Sequence, residues 1–165
     1  MRGFSHESQH NESKEWYTPP KIFEALGARF DLDPASPGAD KVPWIPAVRH
    51  CTIADDGLRQ DWGGARVWLN PPYGADTAEW MRKFIRSDCS GLMLVFSRTD
   101  TAWFHELAVH ATAMCFVRKR IQFVRGDGYV GGGSGAASLL LAKGGEFEDA
   151  LTRSRLGFVC RGRPQ

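Results

Sequence analysis

Residues 66–74 read Arg-Val-Trp-Leu-Asn-Pro-Pro-Tyr-Gly, an apolar segment that runs directly into a turn with two prolines. The apolar run is typical of a hydrophobic strand. Two successive prolines fix φ at about −65° and remove two backbone donors, so the turn is rigid and presents mainly acceptors, including the Asn70 side-chain oxygen. The stretch predicts a buried strand that ends in a turn able to hold a planar –NH2 group, and an ordinary strand-ending turn is the alternative.

Helical and strand segments alternate on both sides of this stretch. Thr18 before Pro19-Pro20 predicts a helix with a hydroxyl cap that runs to about residue 28. Asp76 and Glu79 form a capping-box pattern, and apolar residues then recur at helical spacing up to residue 88. The other predicted elements are strands at 30–33, 51–54, 66–69, 91–96 and 114–117 and a helix at 100–110. This order predicts an α/β fold with a mostly parallel sheet.

Two further predicted strands, at 121–124 and 138–142, flank a glycine-rich loop, which predicts an antiparallel hairpin at the sheet edge. A G-x-G-x-x-G match begins in this loop at Gly126, but more glycines follow it instead of a helix. It is therefore not interpreted as a dinucleotide fingerprint. The loop at 126–135 is either a segment that orders on a polyanion or a disordered connector.

The 165 residues are 42% hydrophobic, which suits one domain with a substantial core. We expect a polar tail at 1–14 and a single domain at 15–165. No apolar run reaches the length of a membrane span, and the first residues lack the apolar stretch of a signal peptide. The sequence thus favours a cytoplasmic protein.

The cysteine and histidine spacings do not indicate a metal site or a disulfide framework. His6 and His10 are four residues apart in a polar segment without a third ligand nearby, so no metal is predicted. No C-x-x-C pair occurs, and we expect reduced, mostly buried thiols. The four cysteines are Cys51, Cys89, Cys115 and Cys160.

The net charge of +2 is too small to indicate nucleic acid by itself, but the charges are unevenly placed. Aspartates crowd the first third of the chain, whereas basic residues cluster late and again at the end. The late and terminal basic residues are Arg118, Lys119, Arg120 and Arg125, and Arg153, Arg155, Arg161 and Arg163. The first third suits a cation and the later clusters a polyanion, although a normally solvated surface is the alternative for the terminal arginines.

Three polar side chains follow predicted strands, namely Asp33, Asp55 and Asn70. In open α/β sheets ligands bind beyond the carboxyl ends of the strands. The three side chains therefore predict a ligand site at one edge of the sheet.

Four ordered motifs resemble those of DNA adenine-N6 methyltransferases, and most of all the small phage-encoded family. They are Glu-Trp-Tyr-Thr-Pro-Pro at 15–20, Leu-Asp-Pro-Ala-Ser at 32–36, Ala-Asp-Asp-Gly-Leu at 54–58 and Leu-Asn-Pro-Pro-Tyr-Gly at 69–74. The resemblance runs from about residue 15 to 144 and includes 97–104 and 120–123. It implies S-adenosylmethionine as the methyl donor and a Rossmann-like class I methyltransferase sheet with an antiparallel final strand.

The resemblance also implies a catalytic role for the turn. The Asn70 side-chain oxygen and the Pro71 carbonyl would accept the two hydrogens of an adenine amine, while the base, turned out of the duplex, would stack on Tyr73. The implied catalytic residues are Asn70, Pro71, Pro72 and Tyr73.

For the cofactor, the resemblance implies that Thr18 and the following helix would hold the methionine carboxylate. Asp33 would lie near the methionine moiety, and either Asp55 or Asp56 would accept a hydrogen bond from the cofactor adenine. The implied cofactor-binding residues are Thr18, Pro19, Asp33, Pro34, Ala35, Asp55, Asp56 and Asn70. A plain helix cap at Thr18 and a loop-capping carboxylate at Asp33 are the alternatives. The chain departs from the wider pattern at 34–38, where Pro-Ala-Ser-Pro-Gly stands in place of a glycine-rich loop.

DNA is the implied partner, and a separate target-recognition domain does not fit in this length. The candidate DNA-binding residues are Arg98, Arg118, Lys119, Arg120 and Arg125. One alternative keeps the fold and cofactor but methylates a protein glutamine or an RNA base. Another is a catalytically silent nucleic-acid binding module.

Overall fold

The computed structural model describes residues 16–125 and 128–162. The predicted tail at 1–14 with both of its histidines, positions 126 and 127 of the glycine-rich loop, and Arg163 lie outside the described residues.

Strands and helices alternate through most of the chain, as the sequence predicted. The strands are β1 (Trp16–Tyr17), β2 (Phe30–Asp33), β3 (Ala47–His50), β4 (Arg66–Leu69), β5 (Ser90–Phe96), β6 (Ala113–Val117), β7 (Val124–Arg125), β8 (Ser138–Lys143) and β9 (Gly157–Arg161). The α-helices are α1 (Pro20–Leu26), α2 (Thr77–Arg86), α3 (Ala102–Leu107) and α4 (Gly145–Ser154). Short 3-10 turns occupy Ile53–Asp55 and Ala108–His110.

Seven strands form the main sheet in the order β3-β2-β4-β5-β8-β6-β9. Strands β3, β2, β4 and β5 are parallel, β8 runs antiparallel to both of its neighbours, and β9 runs antiparallel to β6. Five strands, β2 to β6, consequently point the same way. The predicted α/β class with a mostly parallel strand direction is confirmed.

Apolar side chains cover both faces of the sheet and form two clusters. One cluster joins Phe23 of α1, Trp68 of β4 and Phe147 of α4. The other joins Leu69 of β4 to Phe84 of α2. Because successive residues of β4 belong to different clusters, this strand is buried on both faces.

The predicted hairpin at the sheet edge is wrong. β8 lies inside the sheet, where its five buried residues suit a strand that is covered on both faces. The segment at 121–125 pairs instead with the glycine-rich segment that follows it, through Ser134 N to Ile121 O (3.0 Å) and Gly131 N to Phe123 O (2.9 Å). Its last two residues form β7, which pairs with β1 in a separate two-stranded sheet.

Two local predictions are also wrong for identifiable reasons. The strand expected at 51–54 is replaced by a 3-10 turn, because the Thr52 backbone N–H and hydroxyl both donate to Asp55 Oδ2, at 2.7 and 2.8 Å. Helix α1 begins at Pro20 with Pro19 as its N-terminal cap residue, so the Thr18 hydroxyl does not cap it.

No helix in the described part of the chain is both long enough and apolar enough to cross a membrane. All four cysteines are free thiols, and three of them are buried.

Candidate functional site

Polar residues from several strands meet at the carboxyl edge of the parallel part of the sheet. Asp33 and His50 are register partners at the ends of β2 and β3. β2 also pairs with β4, whose last residue directly precedes Asn70, and β4 pairs with β5, which ends at Phe96. The predicted convergence of Asp33 and Asn70 at one edge follows from these pairings.

The Asn-Pro-Pro-Tyr turn is fastened to the start of α2 by Thr77. The Thr77 hydroxyl donates to the Pro72 carbonyl at 2.8 Å and accepts the Gly74 N–H at 2.9 Å. Within the turn, the Tyr73 hydroxyl donates to Asn70 Oδ1 at a long 3.5 Å. The conformation of the turn is therefore set by helix α2 as well as by the two prolines. The Asn70 side-chain oxygen accepts only a long, weak hydrogen bond.

The Tyr73 ring stacks on Phe96, with ring centroids 4.2 Å apart and planes inclined by 20°. Tyr73 nevertheless remains 43% exposed. Burial of part of the side chain raises the pKa of Tyr73 above its usual value, so the phenol stays protonated at neutral pH. One face of the ring is occupied by Phe96, and a flat ligand would use the other.

A pocket of about 350 Å³ opens beside this stacked pair. Its lining includes Tyr73, Thr77, Phe96, Arg98, Thr101 and Trp103. The volume falls within the range of small-ligand sites, and the lining combines aromatic rings with one guanidinium. Arg98, a predicted DNA contact, thus lies next to the predicted catalytic turn.

Asp33 is a deeply buried acid, with a side chain that is 3% exposed. Burial raises its pKa to about 7, although the Ala35 N–H, which donates to Oδ1 at 3.3 Å, opposes the shift. In the described residues its one ion-pair neighbour is His50, with Nδ1 3.7 Å from Oδ2.

His50 does not supply a positive charge at neutral pH, because burial lowers its pKa. Its Nε2 lies 3.2 Å from the Ala47 carbonyl, which can only accept, so the ring proton belongs on Nε2. Nδ1 then accepts the Ser36 hydroxyl at 2.9 Å. Asp33 is consequently a buried carboxyl group suited to a cationic or hydrogen-bond-donating ligand.

The loop that carries Asp55 and Asp56 packs directly on the loop after β2. A Cβ atom at Gly57 would lie 1.8 Å from the Pro34 carbonyl oxygen, so only glycine permits this approach. Asp55 is exposed, and hydrogen bonds from Thr52 lower its pKa. Asp56 adopts a left-handed φ of 48° and pairs with Arg59 at 3.1 Å. The two predicted cofactor segments are adjacent, while both carboxylates also have local partners.

Thr18 and Pro19 are buried beside β1. The Thr18 carbonyl accepts the Trp44 indole N–H at 2.9 Å, whereas its buried hydroxyl has no hydrogen-bond partner among the described residues. Buried hydroxyl groups normally have a hydrogen-bond partner. Because the Thr18 hydroxyl has none among the described residues, it is available to a bound ligand. By its chemistry, the buried Asp33 carboxyl group suits an ammonium, and the Thr18 hydroxyl can donate to a carboxylate.

The late basic residues do not continue β6. This strand ends at Val117, and Arg118, Lys119 and Arg120 are exposed in the loop that follows, while Arg125 lies in β7. Val117 is at the carboxyl end of β6, which is parallel to β5, so this basic loop begins at the same edge as Asn70. The loop with Arg118, Lys119 and Arg120 thus starts at the edge of the sheet where the candidate site lies.

Sequence reasoning missed Phe96, Trp103 and His50 as members of the site. Phe96 could have been found, because it is the last residue of a predicted strand and such ends line ligand sites in α/β sheets. His50 gave no comparable signal, since β3 is short and half-exposed. No cluster of three or more metal-binding side chains occurs in the residues described.

A family model described as DNA N-6-adenine-methyltransferase (Dam) matches residues 5–145. The matched region extends from before β1 to the start of α4 and contains all of the site described above. A search among curated proteins gave no significant match.

Proposed function

The chain belongs to the DNA N-6-adenine-methyltransferase (Dam) family, and on this premise we propose that it transfers a methyl group from S-adenosylmethionine to the N6 amine of an adenine turned out of duplex DNA. The observation that carries the proposal is the geometry of the turn that starts at Asn70. Its Tyr73 ring stacks on Phe96, and the strand before the turn pairs with β2, which ends at buried Asp33. Antiparallel β8 between two strands of the opposite direction supports a Rossmann-like methyltransferase sheet.

Binding of the cofactor is assigned to the buried polar groups of Asp33 and Thr18 and to the adjacent loops at 34–35 and 55–56. Asp33 would pair with the ammonium and Thr18 would donate to the carboxylate, while Pro19, Pro34 and Ala35 would form the walls. Either Asp55 or Asp56 would accept the adenine amine of the cofactor. When bound, S-adenosylmethionine supplies an electrophilic methyl group on a sulfonium.

The chemistry assigned to the protein is alignment. An aromatic amine is a poor nucleophile, because its lone pair is conjugated with the ring. Asn70 Oδ1 and the Pro71 carbonyl would each accept one N6 hydrogen, which favours a tetrahedral nitrogen and frees the lone pair. Pro72 keeps the turn rigid, and the extra proton of the methylated amine leaves to solvent.

Turning a base out of the duplex costs a few kcal/mol. Stacking on the free face of Tyr73 would offset part of this cost. The pocket beside Tyr73, with Arg98 at its wall, supports a site for the extruded nucleotide. Arg118, Lys119, Arg120 and Arg125 would contact phosphates around it.

The test is incubation with S-adenosylmethionine labelled in the methyl group and with DNA, RNA or protein, followed by nucleoside and peptide analysis. We expect N6-methyladenine in DNA. Label found only in RNA or in protein glutamine would move the acceptor to one of the alternatives, and cofactor binding without transfer to any of them would indicate a silent binding module.

The matched variants are Asn70→Ala and Asn70→Asp. The alanine variant should lose nearly all turnover with cofactor affinity retained, because the lost interaction serves mainly the transition state. The aspartate variant keeps an acceptor oxygen and should retain measurable turnover. A loss below about tenfold in the alanine variant, roughly 1.4 kcal/mol, would exclude Asn70 as the amine acceptor.

A further inference from the structure

The small sheet formed by β1 and β7 presents two aromatic rings and one guanidinium on a single face. Trp16 lies directly opposite Arg125 in the antiparallel register. The Arg125 N–H donates to the Tyr129 carbonyl at 2.9 Å, and the Arg125 guanidinium lies 5.4 Å from the centre of the Tyr129 ring. Because opposed residues of antiparallel strands share a face, the three side chains form one surface. We call Trp16, Arg125 and Tyr129 the aromatic–cation face.

Both rings are held at the surface instead of being packed into the core. Trp16 is 43% exposed and Tyr129 is 57% exposed. Gly131 makes the arrangement of Trp16 possible, since a Cβ atom there would lie 2.7 Å from Cζ3 of the indole. The indole therefore lies close against the backbone. Exposed aromatic rings that are clustered and fixed in orientation indicate a binding surface.

The chain topology places this face on the same side of the main sheet as the candidate site. The chain leaves the sheet after Val117 and returns at Ser138, which is the register partner of Phe96. The return is secured by the Ser97 N–H, which donates to the Ala137 carbonyl at 2.8 Å. The connection between β6 and β8, which contains β7, thus begins and ends at the edge where the Asn70 turn lies.

We propose that the aromatic–cation face binds DNA by stacking on bases next to the adenine that enters the site. The proposal rests on the proposed function for the identity of the polymer. Aromatic rings stack on any base and so contribute affinity without reading sequence, while the Arg125 guanidinium lies over the Tyr129 ring and leaves its charge for a nearby phosphate. The exposed basic loop at 118–120 adds attraction for the adjacent phosphates. Stacking on Trp16 would hold neighbouring bases open while one adenine is extruded.

The experiment measures the affinity of the full chain for two labelled single-stranded DNA oligonucleotides by fluorescence anisotropy. One has normal bases, and the other has the same length and phosphates but several abasic positions. We expect the protein to prefer the oligonucleotide with bases. Trp16→Ala and Tyr129→Ala should each weaken binding of that oligonucleotide by about 5- to 150-fold, with little effect on the abasic one.

Three further variants make the test specific. Trp16→Phe keeps a ring and should retain most of the affinity. Gly131→Ala leaves Trp16 in the sequence but forces its ring away, so it should behave like Trp16→Ala. Val109→Ala, in the 3-10 turn that precedes β6 at the opposite edge, removes exposed apolar surface away from the face and should bind like the unmodified protein.

The slope of log affinity against log salt should stay unchanged in the ring variants, because no phosphate contact is lost. Equal affinities of Trp16→Ala, Tyr129→Ala and the unmodified protein would overturn the proposal, as would an equal loss on both oligonucleotides. If the unmodified protein methylates DNA while the ring variants bind normally, only this inference fails. If it methylates RNA or protein and not DNA, the proposed function fails.

Discussion

Tyr73 and Phe96 form a stacked ring pair with centroids 4.2 Å apart, and this pair joins the turn after β4 to the end of β5. Phe96 covers one face of the Tyr73 ring and fixes its orientation, while 43% of Tyr73 stays exposed. A ring that is already ordered loses less entropy when a base stacks on it. We infer that Phe96 is a positioning residue, which acts on the substrate through Tyr73.

The first prediction is that the losses of activity caused by Tyr73→Ala and Phe96→Ala are not additive, because Phe96 acts on the substrate through Tyr73. Each should lower kcat/KM for DNA, and the double variant should be little worse than Tyr73→Ala alone, with a coupling of about 0.5–1.5 kcal/mol. Phe96→Tyr keeps the stacked ring and serves as the control. Strictly additive losses would show that Phe96 does not position Tyr73. Cofactor affinity, measured by calorimetry, should be similar in all four variants and in the unmodified protein.

The second prediction concerns pH and Asp33, whose pKa is raised by burial to about 7. In the folded protein the carboxyl group holds its proton between about pH 4 and pH 7, where the unfolded chain has released it. The free energy of unfolding should therefore fall as the pH rises through this window. Asp33→Asn should remove this dependence and be more stable than the unmodified protein at pH 8, as measured by urea denaturation.

Cofactor affinity should change in the opposite direction with pH. Ionised Asp33 would pair with the cofactor ammonium, so affinity should rise as the pH increases from about 6 to 8, and Asp33→Asn should bind weakly with a flat profile. His50→Gln removes the neighbouring imidazole and should keep the rise. A normal affinity and an unchanged pH profile in Asp33→Asn would mean that this carboxyl group does not face the cofactor.

The central strand and its turn were predictable from the sequence, because their information is local. Continuous apolar residues at 67–69 are typical of a hydrophobic strand, and the two prolines after Asn70 prevent it from continuing. The same reasoning placed Asp33 at a strand end. What the sequence could not give is the partner of Tyr73, since Phe96 is brought to it by pairing of β4 with β5 and not by any local pattern.

The failures have a common physical basis in pairing and capping. The pattern at 138–142 showed an apolar strand, but which strands flank it is decided by non-local hydrogen bonds. Thr18 looked like a helix cap, yet an extended Pro19 at φ −71° and ψ 153° moved the helix start past it. β3 was missed because the strand is half-exposed and lacks an apolar run. Helix α4 and strand β9 were not predicted at all.

The third prediction tests a stabilising contact far from the site. The Lys143 ammonium donates to the carbonyls of Phe84 (3.2 Å), Ile85 (2.9 Å) and Ser87 at the end of α2. These are terminal carbonyls without helical partners, and a cation there also complements the helix dipole. Lys143→Met should lower the free energy of unfolding by about 1–3 kcal/mol. Lys21→Met, at an exposed position of α1, is the control, and equal stabilities of the two variants would contradict the argument.

The last prediction concerns the basic loop after β6, where Arg118, Lys119 and Arg120 are all exposed. If β6 had continued through 123, strand alternation would have placed Lys119 on the opposite face from its neighbours. Because the strand ends at Val117, we expect neutralisation of each of the three residues to change DNA affinity in the same way. Neutralising one true phosphate contact should weaken binding to all DNA sequences similarly and reduce the salt slope of log affinity by about 0.9.

Arg86→Gln is the matched control for these variants, since Arg86 ends α2 at the opposite edge of the sheet and is 73% exposed. Its salt slope should equal that of the unmodified protein, and cofactor affinity should be the same in every variant that folds. Salt slopes for the three loop variants that match the slope of Arg86→Gln would show that the basic loop is solvated surface. The phosphate contacts would then have to lie at Arg98, which lines the pocket beside Tyr73, or at the terminal arginines.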